Sequence, residues 1–225
     1  MTGPASLLLP DAAAVADLAT VVGRAQRVDP GGAVRLRGHG AVLAVFVAPL
    51  YGGGGPTVLG LRTVTLADAS ELDVTVPLTA AADACARLQA AGPDPGSPAE
   101  LVLPADRASA PWAGISPPRQ GWTPITGLEV AGLLTAARDG AAEIAAGAPE
   151  GSGAHAVATL RALVWGRALP DSGDPPGVPA GAAFAADVLG FVRDGDPPVA
   201  VHRTGRWTRL TTPRGYLLAR SPGSL

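Results

Sequence analysis

Four prolines fall between Pro111 and Pro124, a short segment that also holds two of the four Trp residues, Trp112 and Trp122. Proline fixes φ and has no amide hydrogen, so the segment cannot continue a helix or run as a central strand. Its two indoles bury much apolar surface, so the segment is expected to be pinned down. Ahead of it the sequence reads as helix, strands, helix. After it come helices and a closing β-hairpin or meander. The segment is therefore expected to be the seam between an α+β sandwich domain, 1–110, and a mainly helical domain, 111–225.

In the first half, Asp11 is placed to cap a helix carrying Val15, Leu18, Val22 and Ala25 at helical spacing, stopped by Asp29-Pro-Gly-Gly32. Ala33-Val-Arg-Leu-Arg37 alternates as a half-buried strand does. Gly38-His-Gly40 turns into a nearly all-apolar central strand over 41–48. Gly52–Gly55 forms a loop, 57–66 a third strand and Glu71–Val76 a fourth. Pro77 suits the opening of a helix with Leu78, Ala81, Cys85 and Leu88 inward. Glu100–Pro104 reads as a further short strand. The order predicts an antiparallel meander with helices on one face.

In the second half, Thr126-Gly-Leu-Glu129 fits a capping box and predicts a helix running to about Ala146. A loop at Pro149–Gly153, a helix over 154–168 and a Pro/Gly/Asp loop at Pro170–Pro179 follow. Ala182–Val192 is apolar nearly all round, the pattern of a buried helix. The chain closes with strands at Val199–Arg203, Arg206–Leu210 and Tyr216–Arg220. The predicted class is α+β: an N-terminal antiparallel sheet with flanking helices, and a helical half closed by the meander.

Composition narrows the function classes. Hydrophobic residues make up 47% and charged residues 16%, which is not a disordered composition. All basic side chains except histidine are Arg, and the formal net charge of −2 gives no global attraction to nucleic acid or an anionic membrane. A single cysteine, Cys85, excludes an intramolecular disulfide and a thiolate metal cluster, and fits a reducing cytoplasm. The residues 1–10 have no basic n-region, so no signal peptide is expected, and no apolar run reaches membrane-span length.

Most chemical motifs fail on context. The Gly52–Gly55 loop is followed by a strand and has no Gly-Lys-Ser/Thr, so it reads as a hairpin loop and not a phosphate loop. His39, His155 and His202 lack metal-ligand spacing. There is no Gly-x-Ser-x-Gly elbow. Cys85 lies on an apolar stripe and reads as core. Glu71 and Asp73 share a strand face and read as partners for Arg35 and Arg37. The sharpest feature is the terminal meander: five Arg and His202 between Val199 and Arg220, with no acid and with Trp207 and Tyr216 among them. Arg119 and Arg214, each beside Pro, are placed to extend this surface.

The stretches Trp112-Ala-Gly-Ile-Ser-Pro-Pro-Arg-Gln-Gly-Trp122, Val164-Trp-Gly-Arg167, Gly181-Ala-Ala-Phe184 and Gly205-Arg-Trp-Thr-Arg-Leu-Thr-Thr-Pro-Arg-Gly215 resemble a family of uncharacterised actinobacterial proteins. The likeness covers most of the chain. It implies a cytoplasmic bacterial protein and carries no catalytic residue across.

The sequence thus points to a non-catalytic cytoplasmic binding or regulatory protein. Its expected ligand-binding residues are Arg119, Trp122, Arg203, Arg206, Trp207, Arg209 and Arg214. Its partner is expected to be a protein or a small anionic ligand. No cofactor, metal or membrane is called for. Two alternatives stay open: an enzyme acting on a small anionic metabolite at the interface of the halves, with Arg119, Arg203 or Arg214 as clamp, and nucleic-acid binding through the basic meander.

Overall fold

A computed structural model describes residues 5–94, 96–148, 151, 153–172 and 177–220. The described elements form an α+β fold with antiparallel sheets and five α-helices. They divide into two compact units. The first comprises residues 1–48 and 61–115, the second residues 49–60 and 116–225. One of the three crossings falls between Ile115 and Ser116, inside the proline-rich segment; the other two assign residues 49–60 to the second unit, which a single seam does not anticipate.

The first unit begins with β1 (Ser6–Leu9), in the terminal stretch that carried no strand expectation, and α1 (Ala12–Val28). Asp11 caps α1 as its position demands: its carboxylate accepts a hydrogen bond from Ala14 N at 2.7 Å. Strands β2 (Ala33–His39), β3 (Val42–Leu50), β4 (Thr57–Thr65) and β5 (Asp73–Pro77) follow, then α2 (Leu78–Ala90) and β6 (Ala99–Val102). β2 lies between β5 and β3, antiparallel to both, with Val34 opposite Val47 and Val76. β6 does not join this sheet; it pairs with β1, Leu7 opposite Leu101. The expected central strand is buried on one face only. Leu43, Val45 and Val47 are inside, while Ala44, Phe46 and Ala48 are half-buried. The helices α1 and α2 pack on each other through stripes that include Val15, Leu18, Ala81 and Cys85. Trp112, in a short 3₁₀ turn at Pro111–Gly114, is buried, and Ala113 O accepts a hydrogen bond from Arg35 Nη1 at 2.5 Å.

Asp73 behaves as the expected strand-face partner of the arginines, whereas Glu71 falls outside β5, before its first residue, and reaches neither arginine. Arg35 donates through Nε and Nη2 to the two oxygens of Asp73, each at 2.7 Å, and Arg37 Nε lies 3.6 Å away. Glu71 is 3.7 Å from His39 Nδ1. The Arg35 fork holds the Asp73 carboxyl below the ordinary carboxylate value.

In the second unit, Thr126–Glu129 does not form a capping box. Thr123–Leu128 is a strand, β7, and α3 (Val130–Gly147) starts only after Glu129, which makes no side-chain cap bond. The open edge of the neighbouring strand β8 (Val199–Thr204) recruits these β-tolerant residues, with Leu128 opposite Val199 and a register shift between Pro124 and Thr126. α4 (Ala154–Gly166) and α5 (Ala180–Val188) follow. α5 is buried as its composition implies, with Ala182, Ala183, Ala185 and Ala186 fully enclosed. β9 (Trp207–Thr212) and β10 (Gly215–Arg220) complete the meander, so within this unit the order is β10-β9-β8-β7. The loops expected at Pro149–Gly153 and Pro170–Pro179 lie partly outside the described residues.

Trp165 of α4 is the largest side chain buried here. It stacks on Phe184 of α5 at 4.7 Å between centroids. Gly140 of α3 and Gly181 of α5 admit it: a Cβ on Gly140 would overlap the indole, and one on Gly181 would come within 2.5 Å of Leu50 Cδ1. Gly132, in the same helix α3, faces open space. Two substitutions in one helix should therefore act in opposite directions. Gly132→Ala gains helix propensity of about 1 kcal/mol. Gly140→Ala gains the same but meets overpacking of roughly 1–3 kcal/mol, so it should lower stability. Urea unfolding of both variants checks this; Gly140→Ala at or above wild-type stability would refute the packing account.

Linkage gives a second expectation. Asp73 has a folded-state pKa below its unfolded value, so its contribution is present above about pH 4 and is lost as pH falls through the folded value. Asp73→Asn should be less stable than wild type at pH 7, with the difference shrinking as the pH falls below about 4. A difference that stays constant across that range would show that the pair does not titrate as described.

Candidate functional site

The closing sheet of the second unit has two chemically distinct faces. One is core: Val199, Val201, Leu210 and Leu217 are fully buried, and α5 lies against β10. The other face is set by register. The turn Gly205–Arg206, with Gly205 at φ 53°, joins β8 to β9 by two residues, a Gly-first primed hairpin turn. That turn places Thr204 opposite Trp207, His202 opposite Arg209, and Ala200 opposite Thr211. The next pairing sets Trp207 against Arg220, Arg209 against Leu218, and Thr211 against Tyr216. Side chains alternate along a strand, so these residues share one face. Among its described residues there is no acid.

Arg209 occupies the middle of this face. Its guanidinium carbon lies 4.9 Å from the Trp122 ring centroid and 5.9 Å from that of Tyr216. Both rings can attract the cation through their negative π-faces. Trp122 comes from the proline-rich segment just ahead of β7, and its indole Nε1 donates to Pro118 O at 3.0 Å. Three side-chain polar atoms here are buried without a hydrogen-bond partner among the described residues: His202 Nδ1, Arg209 Nε and Thr211 Oγ1. The first two belong to residues paired directly across the strands, and Thr211 follows Arg209 on the same face.

Several other arginines contrast with Arg209. Arg35 is set on Asp73, Arg62 on Asp17, Arg167 on Glu143 and Arg214 on Asp196. Arg214 Nη1 and Nη2 reach the two Asp196 oxygens at 2.5 and 3.0 Å, which holds that carboxyl below its ordinary value and ties the β9–β10 turn to the loop before β8. No ion pair among described residues reaches Arg209.

The sequence-derived residues therefore separate. Trp122 and Arg209 are brought together, with Trp207 on the same face. Arg206 is exposed at the β8–β9 turn, and Arg119 is exposed in its loop. Arg203 lies on the opposite face, packed against Gly177 beside Thr208, whose hydroxyl donates to Gly177 O at 2.9 Å. Arg214 is held by Asp196. His202, Thr211 and Tyr216 are the additions that the strand register supplies.

Elsewhere, Gly52, Gly53 and Gly54 all have positive φ in the β3–β4 hairpin loop, as a turn requires. An open groove of about 620 Å³ runs beside α3, lined among others by Leu128, Leu133, Leu169 and Asp139. No cluster of His, Cys, Asp or Glu among the described residues could hold a metal ion, and no helix among them is long and apolar enough to cross a membrane.

Residues 2–105 match the family described as domain of unknown function DUF8010, and residues 117–224 match that described as DUF8185. The chain is built of two domains of unknown function. The Arg209 face lies wholly within the span matched by DUF8185. No curated protein sequence matches the chain. Solved DNA polymerase sliding clamps share its fold. One from Caulobacter crescentus superposes with a TM-score of 0.53 at 12% identity, over 98% of this chain and 66% of the clamp chain. The DnaN sliding clamp (DNA polymerase III subunit beta) from Bartonella birtlesii, bound to griselimycin, gives 0.50 at 13% identity, over 99% and 66%. A sliding clamp from Pseudomonas aeruginosa gives 0.50 at 14% identity, over 98% and 65%. The chain spans about two-thirds of these clamps' length. At such identity the likeness is one of fold.

Cys85, in the DUF8010 domain, is buried, and burial pushes its thiol up to about 11. A thiol so placed is a poor nucleophile at neutral pH. It should resist a water-soluble thiol reagent in the native protein and react at once in denaturant. Rapid native labelling would contradict the core assignment.

Proposed function

We propose that this protein is a non-catalytic binding protein, and that the Arg209 face of its DUF8185 domain recognises an acidic segment of a protein partner. One observation carries the reading. Arg209 is half-buried between Trp122 and Tyr216, and among the described residues its sheet face holds no acid and no carboxylate pairs with it. Arg, Trp and Tyr are the residue types that dominate binding energy at protein interfaces. Arg206 at the adjoining turn adds an exposed cation at the rim of the same surface.

The sliding-clamp fold supports a binding role only by analogy, since one fold serves many functions. Nucleic-acid binding is less well supported by the same surface. The chain carries a net charge of −2, and phosphate-backbone binding depends on accumulated positive charge.

The test is a double variant, Arg206→Ala with Arg209→Ala, immobilised beside the wild type and exposed to native lysate of the producing organism. The variant should keep the wild-type circular dichroism spectrum and lose a protein that the wild type retains. Raised salt should weaken the wild-type capture. A wild type that retains nothing, or a folded variant that retains the same protein equally well, would overturn the reading.

A further inference from the structure

The three unpartnered polar atoms give the recognition more chemical content. We infer that His202, Arg209 and Thr211 form a slot for a single oxyanion group, carboxylate or phosphate, with Trp122 as its cover. The inference rests on the binding role proposed for this face.

The guanidinium of Arg209 is the centre of the slot. The two neighbouring rings accept no hydrogen bond from it, so its N–H groups are left to make them, and their fork fits two oxygens of one anion. Arg209 Nε, on one such edge, is buried and unpartnered. His202 Nδ1 is unpartnered on the residue directly across the ladder, and Thr211 Oγ1 is unpartnered one place further along the same face. Thr211 can donate through its hydroxyl, and His202 can donate from Nδ1 in one tautomer or when charged. Arg35 shows what such a fork does when an acid is available, gripping both oxygens of Asp73. Among the described residues Arg209 has no equivalent acid, so its fork is open to an oxyanion brought by another molecule.

Access depends on Trp122. The three atoms are shielded from solvent, and Trp122 is one of the two rings beside the guanidinium. It precedes β7, outside the ladder, and its one side-chain hydrogen bond is local, to Pro118 O. It can swing away without breaking a strand pairing. Tyr216, by contrast, lies within β10.

The test uses the indole N–H resonance of Trp122, assigned by its absence in Trp122→Phe. Inorganic phosphate and acetate are titrated separately at constant ionic strength, with sodium chloride as the balancing salt. A saturable shift of the Trp122 signal, with the Trp165 signal unmoved, is expected from at least one anion. Saturation by acetate alone points to a side-chain or terminal carboxylate, and saturation by phosphate alone to a phosphorylated residue. Arg209→Lys, which keeps the charge but loses the fork, should weaken the response about tenfold. Thr211→Val should weaken it without removing the charge. No saturable shift with either anion, or an unchanged response in Arg209→Lys and Thr211→Val together, overturns the slot. If neither anion saturates while the Arg206/Arg209 double variant still loses its partner, the slot fails and the binding face stands. If an anion saturates but the double variant keeps its partner, the slot stands and the face does not serve that partner.

Discussion

The packing of Trp165 sets the geometry of the second unit. A Trp on α4 can be enclosed only if its neighbours withdraw, and two of them are glycines: Gly140 on α3 and Gly181 on α5. Phe184 then lies against the indole. The rest of α5 offers mostly methyl groups to its surroundings, with four alanines fully buried. A helix of such thin side chains can approach the sheet closely, and α5 lies against β10. Leu217 and Ala219 of β10 are buried on the α5 side, while Tyr216 and Leu218, which alternate with them, belong to the other face. The core under α5 thus helps fix the sheet whose outer face presents Arg209.

Local pattern made most of the fold legible. Asp11 with the stripe of α1, the alternation of β2 and the three closing strands all carry their cause within a few residues. The main misreading was of Thr126–Glu129. Those four residues satisfy a capping template, yet Thr126 and the Ile125 just before it are equally at home in a strand. The choice was decided by something non-local, the unpaired edge of β8. Pro124 was a signal in the other direction, since proline within a strand marks an edge, and β7 takes the outermost place in its unit. The partner of β6 was hidden for a similar reason. Ser6–Leu9 is too short an apolar run to announce itself, and only its pairing with Leu101 makes it a strand.

The candidate site was half legible. The density of Arg and aromatic residues after Val199 is plain, but composition does not say which arginine has an acid. Asp196 and Arg214 meet across the ends of two strands, and Asp73 and Arg35 are brought together by the β2–β5 ladder. The face itself was more accessible than the residue choice used. Once Gly205–Arg206 is taken as a two-residue turn, His202 must lie opposite Arg209, and the alternation of β9 puts Thr211 on the same side. Trp122 could not be placed this way, because its position over Arg209 depends on the irregular chain after Pro118.

The unpartnered atoms carry more weight than the larger groove beside α3. That groove is open, and the acids in its lining, Glu129, Asp139 and Asp171, have no buried atom left without a partner among the described residues. A buried donor or acceptor without a partner costs about 1–3 kcal/mol, set against a total stability of only about 5–15 kcal/mol for a typical protein. Trp165 Nε1 is a single such atom, enclosed by tight packing that offsets it. His202, Arg209 and Thr211 are three together, on a face with no acid among its described residues, beside a Trp whose side-chain hydrogen bond is local. Water can satisfy such groups in the free protein. An incoming oxyanion that replaces this water makes charge-assisted bonds with Arg209, which are roughly twice as strong as neutral ones. The difference between those two occupants is free energy available for recognition, and it is concentrated at Arg209.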